Sequence, residues 1–125
     1  MASKREERKQ EVHLRVMRLI QKEPSITTRE IAQRVGISNG SAYYCVTALV
    51  DKGFIKLKNF TQSHTKSNYL YELTPRGIRV KAALTLQFLQ RKRDEYSDLK
   101  KEILLLENEL GFDELKTSKD KEGSL

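Results

Sequence analysis

The run Ser38-Asn39-Gly40-Ser41-Ala42-Tyr43-Tyr44 carries hydroxyl, amide and ring edges and no charge. Such groups bind by hydrogen bonding and stacking; they do not move protons. A helix starting at Ser38 with Ala42, Cys45, Val46 and Leu49 inward turns Gly40, Ser41, Tyr43, Tyr44 and Thr47 outward or sideways. Two adjacent tyrosines on an exposed face suit phosphates, thymine methyls or base edges. The competing reading packs one of them, Tyr43, on a neighbouring helix. Asn39 suits adenine, and equally a phosphate or a cap. No Arg or Lys lies between Ser38 and Asp51, so a bidentate arginine–guanine contact is closed to this helix.

The cations lie around it. Residues 1–23 hold a balance of +3 and residues 24–81 one of +6; 82–110 and 111–125 hold −1 each, within a chain total of +7. Lys56, Lys58 and Lys66, with Gln62 and His64, fall on a predicted hairpin. Phosphate or minor-groove contact is one reading, and edge-strand lysines that discourage aggregation are the other. Thr27, Thr28 and Arg29 stand where a helix N-terminus receives a phosphate.

The elements that must position these groups follow from period and caps. Residues 4–23 read as a helix with Val12, Val16, Leu19 and Ile20 on one face, widened by Leu14 and Met17, and Pro24 ends it. Thr27 or Thr28 caps a second helix with Glu30 as partner and Ile31, Ala32 and Val35 inward. Small Ala32 permits close helix approach, Gly36 makes a left-handed turn, Ile37 plugs the gap, and Ser38 caps the third helix. Gly53 stops it. Residues 54–60 and 68–73 read as strands joined by seven small and polar residues. Thr74-Pro75 opens a helix running to about Leu110, some 36 residues or about 54 Å. Residues 111–125 read as a disordered tail. The expected fold class is mainly α with a small β-wing (α+β), a winged helix-turn-helix between an N-terminal helix and a long C-terminal one.

The parts divide as 4–23, a packing or dimerisation helix; 24–77, the winged helix-turn-helix; 78–110, a coiled-coil-like dimerisation helix; and 111–125, the tail. In the long helix Ile78, Ala82, Thr85, Leu89, Lys92, Tyr96, Leu99, Ile103, Leu106 and Leu110 follow a 4-3 spacing, a heptad seam. A helix of that length overhangs a winged domain of ordinary size, which argues against its folding back on its own domain. Leu104 and Leu105 lie off the seam and call for further helices, residues 10–23 among them. The expected dimer contacts are Val12, Val16, Leu19, Leu89, Tyr96, Leu99, Ile103, Leu106 and Leu110.

Other classes fall away. The longest purely apolar run, Ile103 to Leu106, is far short of a bilayer span, and the charged first ten residues, with no apolar stretch behind them, are not expected to act as a secretory signal. One cysteine makes no internal disulfide, and Cys45 with two distant histidines, His13 and His64, gives no zinc spacing. There is no glycine-rich phosphate loop, nucleophile pair or carboxylate pair, so neither enzyme nor cofactor is expected. The expected compartment is the cytoplasm.

The helix-turn-helix through Val35-Gly36-Ile37-Ser38, then Leu49-Val50-Asp51-Lys52-Gly53-Phe54-Ile55, then Leu73-Thr74-Pro75-Arg76-Gly77 resemble MarR-type winged-helix regulators. Asp51 through Phe60, the Leu73–Gly77 turn and Arg91-Lys92-Arg93-Asp94-Glu95-Tyr96 are most similar to the small subgroup associated with exopolysaccharide gene clusters. The resemblance covers about residues 10–110. It implies a bacterial, dimeric, DNA-binding regulator of polysaccharide genes, and a two-fold dimer on duplex DNA is expected to read an inverted repeat. The wing departs from the family pattern in lacking its Asp-x-Arg pair, and no effector pocket is carried over. An alternative class is a protein-interaction adaptor that uses the Tyr43–Tyr44 face while its C-terminal helix dimerises.

Overall fold

The computed structural model describes residues 3–60 and 68–111. The chain divides into two units, Met1–Gln87 and Phe88–Leu125. The first helix, α1 (Lys4–Lys22), begins where the Ser3 side chain accepts the Glu6 N–H at 3.1 Å. It stops at Glu23, whose backbone has left the helical region (φ −135°, ψ 84°), because Pro24 restricts the residue before it. α2 (Thr28–Val35) and α3 (Asn39–Asp51) follow, joined by Gly36 at φ 81°. The carbonyl of Ala32 accepts the N–H groups of both Gly36 (2.8 Å) and Ile37 (3.0 Å), so the turn leaves neither donor unpaired.

Strands β1 (Ile55–Phe60) and β2 (Asn68–Leu73) pair antiparallel, Ile55 opposite Leu73 and Lys56 opposite Glu72. The Tyr71 N–H also donates to the Pro24 carbonyl at 2.9 Å, tying β2 to the turn after α1. α4 (Pro75–Leu110) completes the described chain. No helix among the described residues is long and apolar enough to cross a membrane.

The core lies inside the first unit. Met17 and Ile20 of α1, Ile31 of α2, Leu49 of α3 and Ile55 of β1 are fully buried together, with Ile26, Ala32, Ala42 and Leu73 around them. Val80 and Leu84 of α4 pack on this cluster from outside. Val16, expected at a dimer contact, is 0% exposed and belongs to this core. Apolar periodicity marks a face that must be buried without saying which atoms bury it. Val12 and Leu19 are half-buried against the same cluster.

One junction sets where the wing leaves and returns. The Thr74 N–H donates to the Phe54 carbonyl (3.0 Å) and the Thr74 hydroxyl to the Gly53 carbonyl (2.6 Å). Thr74 Oγ1 also accepts the Gly77 N–H (2.9 Å), capping α4. Gly77 lies so close to this backbone that a Cβ on it would stand 2.0 Å from the Phe54 carbonyl oxygen.

Alanine normally stabilises a helix relative to glycine by roughly 1 kcal/mol, but at Gly77 the sign reverses. Gly77→Ala is expected to lower stability by about 2 kcal/mol or more, read as a lower urea midpoint. Gly40→Ala, whose Cβ would meet only Ser38 Oγ at 4.0 Å, is expected to be neutral or stabilising. Equal midpoints for the two variants would contradict the close approach.

Candidate nucleic-acid interface

α2 starts on a complete capping box. Thr27 Oγ1 accepts the Glu30 N–H at 3.1 Å, and Glu30 Oε1 accepts the Thr27 N–H at 3.0 Å and its hydroxyl at 3.2 Å. Thr27 is therefore the cap, and its hydroxyl is engaged within the protein. The first-turn N–H groups of Thr28 and Arg29 have no partner inside the helix, as at any helix start. Thr28 is half-buried and Arg29 exposed. At the other end of α2 the Arg34 guanidinium forms an ion pair with Glu23, fastening α2 to the end of α1.

α3 starts in the same way. The Ser38 side chain accepts the Ser41 N–H at 3.0 Å, and its hydroxyl donates to Ser41 Oγ at 2.9 Å. The proton of Ser41's own hydroxyl stays available for an outside acceptor. Asn39 and Gly40 are exposed in the first turn. Tyr43 is 64% exposed and Tyr44 78%, with Thr47 exposed beside them. The packing alternative for Tyr43 does not hold, because the neighbouring helices meet α3 on its Ala42–Cys45–Val46–Leu49 face. The outer face of α3 thus presents two phenol rings and short hydroxyls without a cation, and Asp51 stands beside Tyr43, Tyr44 and Thr47 at its end.

The described wing cations are not isolated. Lys56 and Lys58 point to one face of β1 and share Glu72 of β2, at 3.7 and 3.0 Å. The hydrogen bond and charge of Lys58 hold the Glu72 carboxyl below its ordinary pKa; desolvation opposes them, and Lys56 adds a smaller effect in the same direction as Lys58. Two positive charges therefore reach solvent accompanied by one negative. His64 and Lys66 lie outside the described residues. Among the described residues no cluster of metal-ligating side chains occurs.

One flank was not expected from the sequence. Arg5, Arg8, Lys9, Val12 and His13 of α1 face Ser41, Tyr44, Cys45 and Ala48 of α3 across a groove. The signal was present as a repeat at positions 5, 8, 9, 12 and 13, one helical face, but nothing in it named the opposing helix.

Residues 9–56 match the family model described as winged helix-turn-helix DNA-binding. No curated protein matches the chain. Among solved structures, the PcaV transcriptional regulator from Streptomyces coelicolor is 21% identical over 91% of this chain and 79% of its own, with a TM-score of 0.60. A PadR-like transcriptional regulator from Bacillus cereus is 14% identical over 70% and 90%, with a TM-score of 0.62. Staphylococcus aureus MarR, solved with salicylate and kanamycin, is 21% identical over 83% and 72%, with a TM-score of 0.51.

The facing of α3 is open to a chemical check. Burial pushes the Cys45 thiol up to about 11, against a smaller opposing effect of Lys52. A raised thiol pKa leaves less thiolate at every pH below it. Alkylation by iodoacetamide at pH 8 is expected to be about 100-fold slower in the native chain than in urea. Equal rates would place Cys45 outward and Tyr44 inward. With Cys45 inward, the fold that residues 9–56 carry is a winged helix-turn-helix whose third helix turns its tyrosines to solvent.

Proposed function

We propose that this chain is a bacterial transcriptional regulator of the MarR type, working in the cytoplasm as a homodimer on duplex DNA with an inverted-repeat operator. The observation that carries this reading is the outer face of α3. Tyr43, Tyr44, Thr47 and Ser41 are exposed on a helix whose other side is fixed in the core. A helix-turn-helix presents that surface to a major groove. The family match over residues 9–56 supports the same reading, as does the fold shared with regulators.

The proposed contacts are Thr28 and Arg29 through the α2 N-terminus, and Asn39, Gly40, Ser41, Tyr43, Tyr44 and Thr47 through α3. Lys56, Lys58, His64 and Lys66 act through the wing. Thr27 and Ser38 serve this surface as caps. Because α3 offers no cation, base discrimination rests on hydroxyls, thymine methyl contacts and DNA shape. The dimer is assigned to the exposed row Leu89, Tyr96, Leu99, Ile103, Leu106 and Leu110, aided by the uncovered parts of Val12 and Leu19. Regulation of exopolysaccharide genes follows from the sequence resemblance.

Selection from random duplex DNA is expected to return a two-fold symmetric sequence with half-sites about one helical turn apart. Tyr44→Ala is expected to flatten the preference within each half-site, while Lys66→Ala weakens all sequences alike. Unchanged preference in Tyr44→Ala would refute the α3 reading. In sedimentation the chain is expected at twice 14.5 kDa at micromolar concentration, and Ile103→Asp at the single mass. A monomeric wild-type chain would refute the dimer.

A further inference from the structure

The groove between the first half of α1 and the flank of α3 has a volume of about 460 Å³. Its floor is apolar, formed by Val12, Cys45 and Ala48. Arg5, Arg8, Lys9 and His13 rim it on the α1 side, Ser41 and Tyr44 on the α3 side, and no carboxylate lines it. Among the described residues Arg5, Arg8 and Lys9 form no ion pair. Burial first, then the charges of Lys52 and Lys9, hold His13 below its ordinary pKa, with Glu6 opposing, so a positive local field accompanies the groove.

This groove shares the Ser41–Tyr44 wall with the outer face of α3, so a molecule lying along that face reaches it. The outer face has no cation of its own, and the described wing lysines are tempered by Glu72. A duplex seated on α3 therefore needs positive charge from an adjacent element to offset its phosphates. Resting on the DNA-binding reading above, we propose that the α1–α3 groove seats one strand of the DNA backbone. Arg5, Arg8 and Lys9 take the phosphates, and the apolar floor takes the sugar faces. This extends the contact surface to a helix outside the helix-turn-helix and wing. The rim makes no base contact, so it adds affinity and register without sequence preference. The competing occupant is a helix of a second copy, bearing Glu95, Glu102 and Glu109, which would cover Tyr44.

The test compares the wild-type chain with Arg5→Gln/Arg8→Gln/Lys9→Gln on the selected duplex and on a scrambled one, across a salt series. Neutralising three phosphate contacts per chain is expected to make the slope of log K against log salt shallower by about 2–3 per chain. The preference for the selected duplex and the sedimentation mass are expected to stay unchanged. Arg5→Lys/Arg8→Lys is expected to keep the wild-type slope. A glutamine variant with the wild-type slope overturns the proposal. So does a glutamine variant that loses its dimer, which hands the groove to the second copy. A wild-type chain that selects no duplex overturns both readings, whereas selection with an unchanged slope overturns this one alone.

Discussion

The first unit turns on the contact between Thr74, Phe54 and Gly77. Thr74 ties itself to the carbonyls of Gly53 and Phe54 and caps α4 with the same hydroxyl. The Phe54 N–H in turn donates to the Leu49 carbonyl at 2.9 Å, so the end of α3 joins the same network. The start of the wing, its return and the end of α3 are thereby held at one place. The missing side chain of Gly77 is what allows the backbones to come so near. The Arg76 guanidinium lies over the Phe54 ring at 5.8 Å and covers the junction from outside. A register slip of one residue between β1 and β2 would exchange the faces of Lys56, Lys58 and Glu72, and the junction opposes it.

With that geometry fixed, the charges sort by range. Coulomb attraction between surface groups acts over roughly a Debye length and is screened by salt, so in the proposed DNA complex the cations beside α3 govern encounter and affinity. Hydroxyl and ring contacts act only on touch, so their placement governs discrimination. The hydroxyls at the starts of α2 and α3 are held by local bonds before any partner arrives. Ser38 and Ser41 are bonded to each other, and Thr27 is bonded to Glu30. Such pre-orientation lowers the ordering cost of a contact. Glu72 acts the other way, muting two lysines where their charge would otherwise favour any polyanion.

Signals confined to a few neighbouring residues were legible in the sequence. Ser38 caps α3, Gly36 takes the left-handed turn, and Thr74-Pro75 opens α4. The choice between Thr27 and Thr28 was open because both precede Glu30. The geometry settles it, since Glu30 reaches back to Thr27 from the third helical position. Features that need two distant segments were not legible. Nothing near Gly77 in the sequence accounts for it, because Phe54, the reason for it, is more than twenty positions away. Glu72 and Lys56 are far apart in sequence, and only the strand register sets them opposite each other. Val16 was misjudged for a related cause: periodicity separates inside from outside, and neighbours decide how far inside.

The second unit poses a separate physical problem. From Phe88 to Gly111 no residue is buried, while Leu99, Ile103, Leu104, Leu105, Leu106 and Leu110 are all exposed. Local pairs such as Lys92–Glu95 and Gln90–Asp94 support such a helix by a few tenths of a kcal/mol each, too little to hold it against fraying in water. The apolar stripe is also wider than a two-helix seam, since Leu104 and Leu105 stand beside the row of Leu99, Ile103 and Leu106. One flank of that row carries Glu95, Glu102 and Glu109 in succession. Two such helices set antiparallel bring these acidic rows together, and set parallel they pair Glu95 with Lys100 but Glu102 with Glu107. Neither arrangement of two bare helices satisfies both the leucines and the charges. The proposed dimer therefore has to recruit basic, apolar helix surface in addition to this pair, and in this chain the flank of α1 that carries Arg15, Arg18, Leu19 and Lys22, away from the groove beside α3, combines the two.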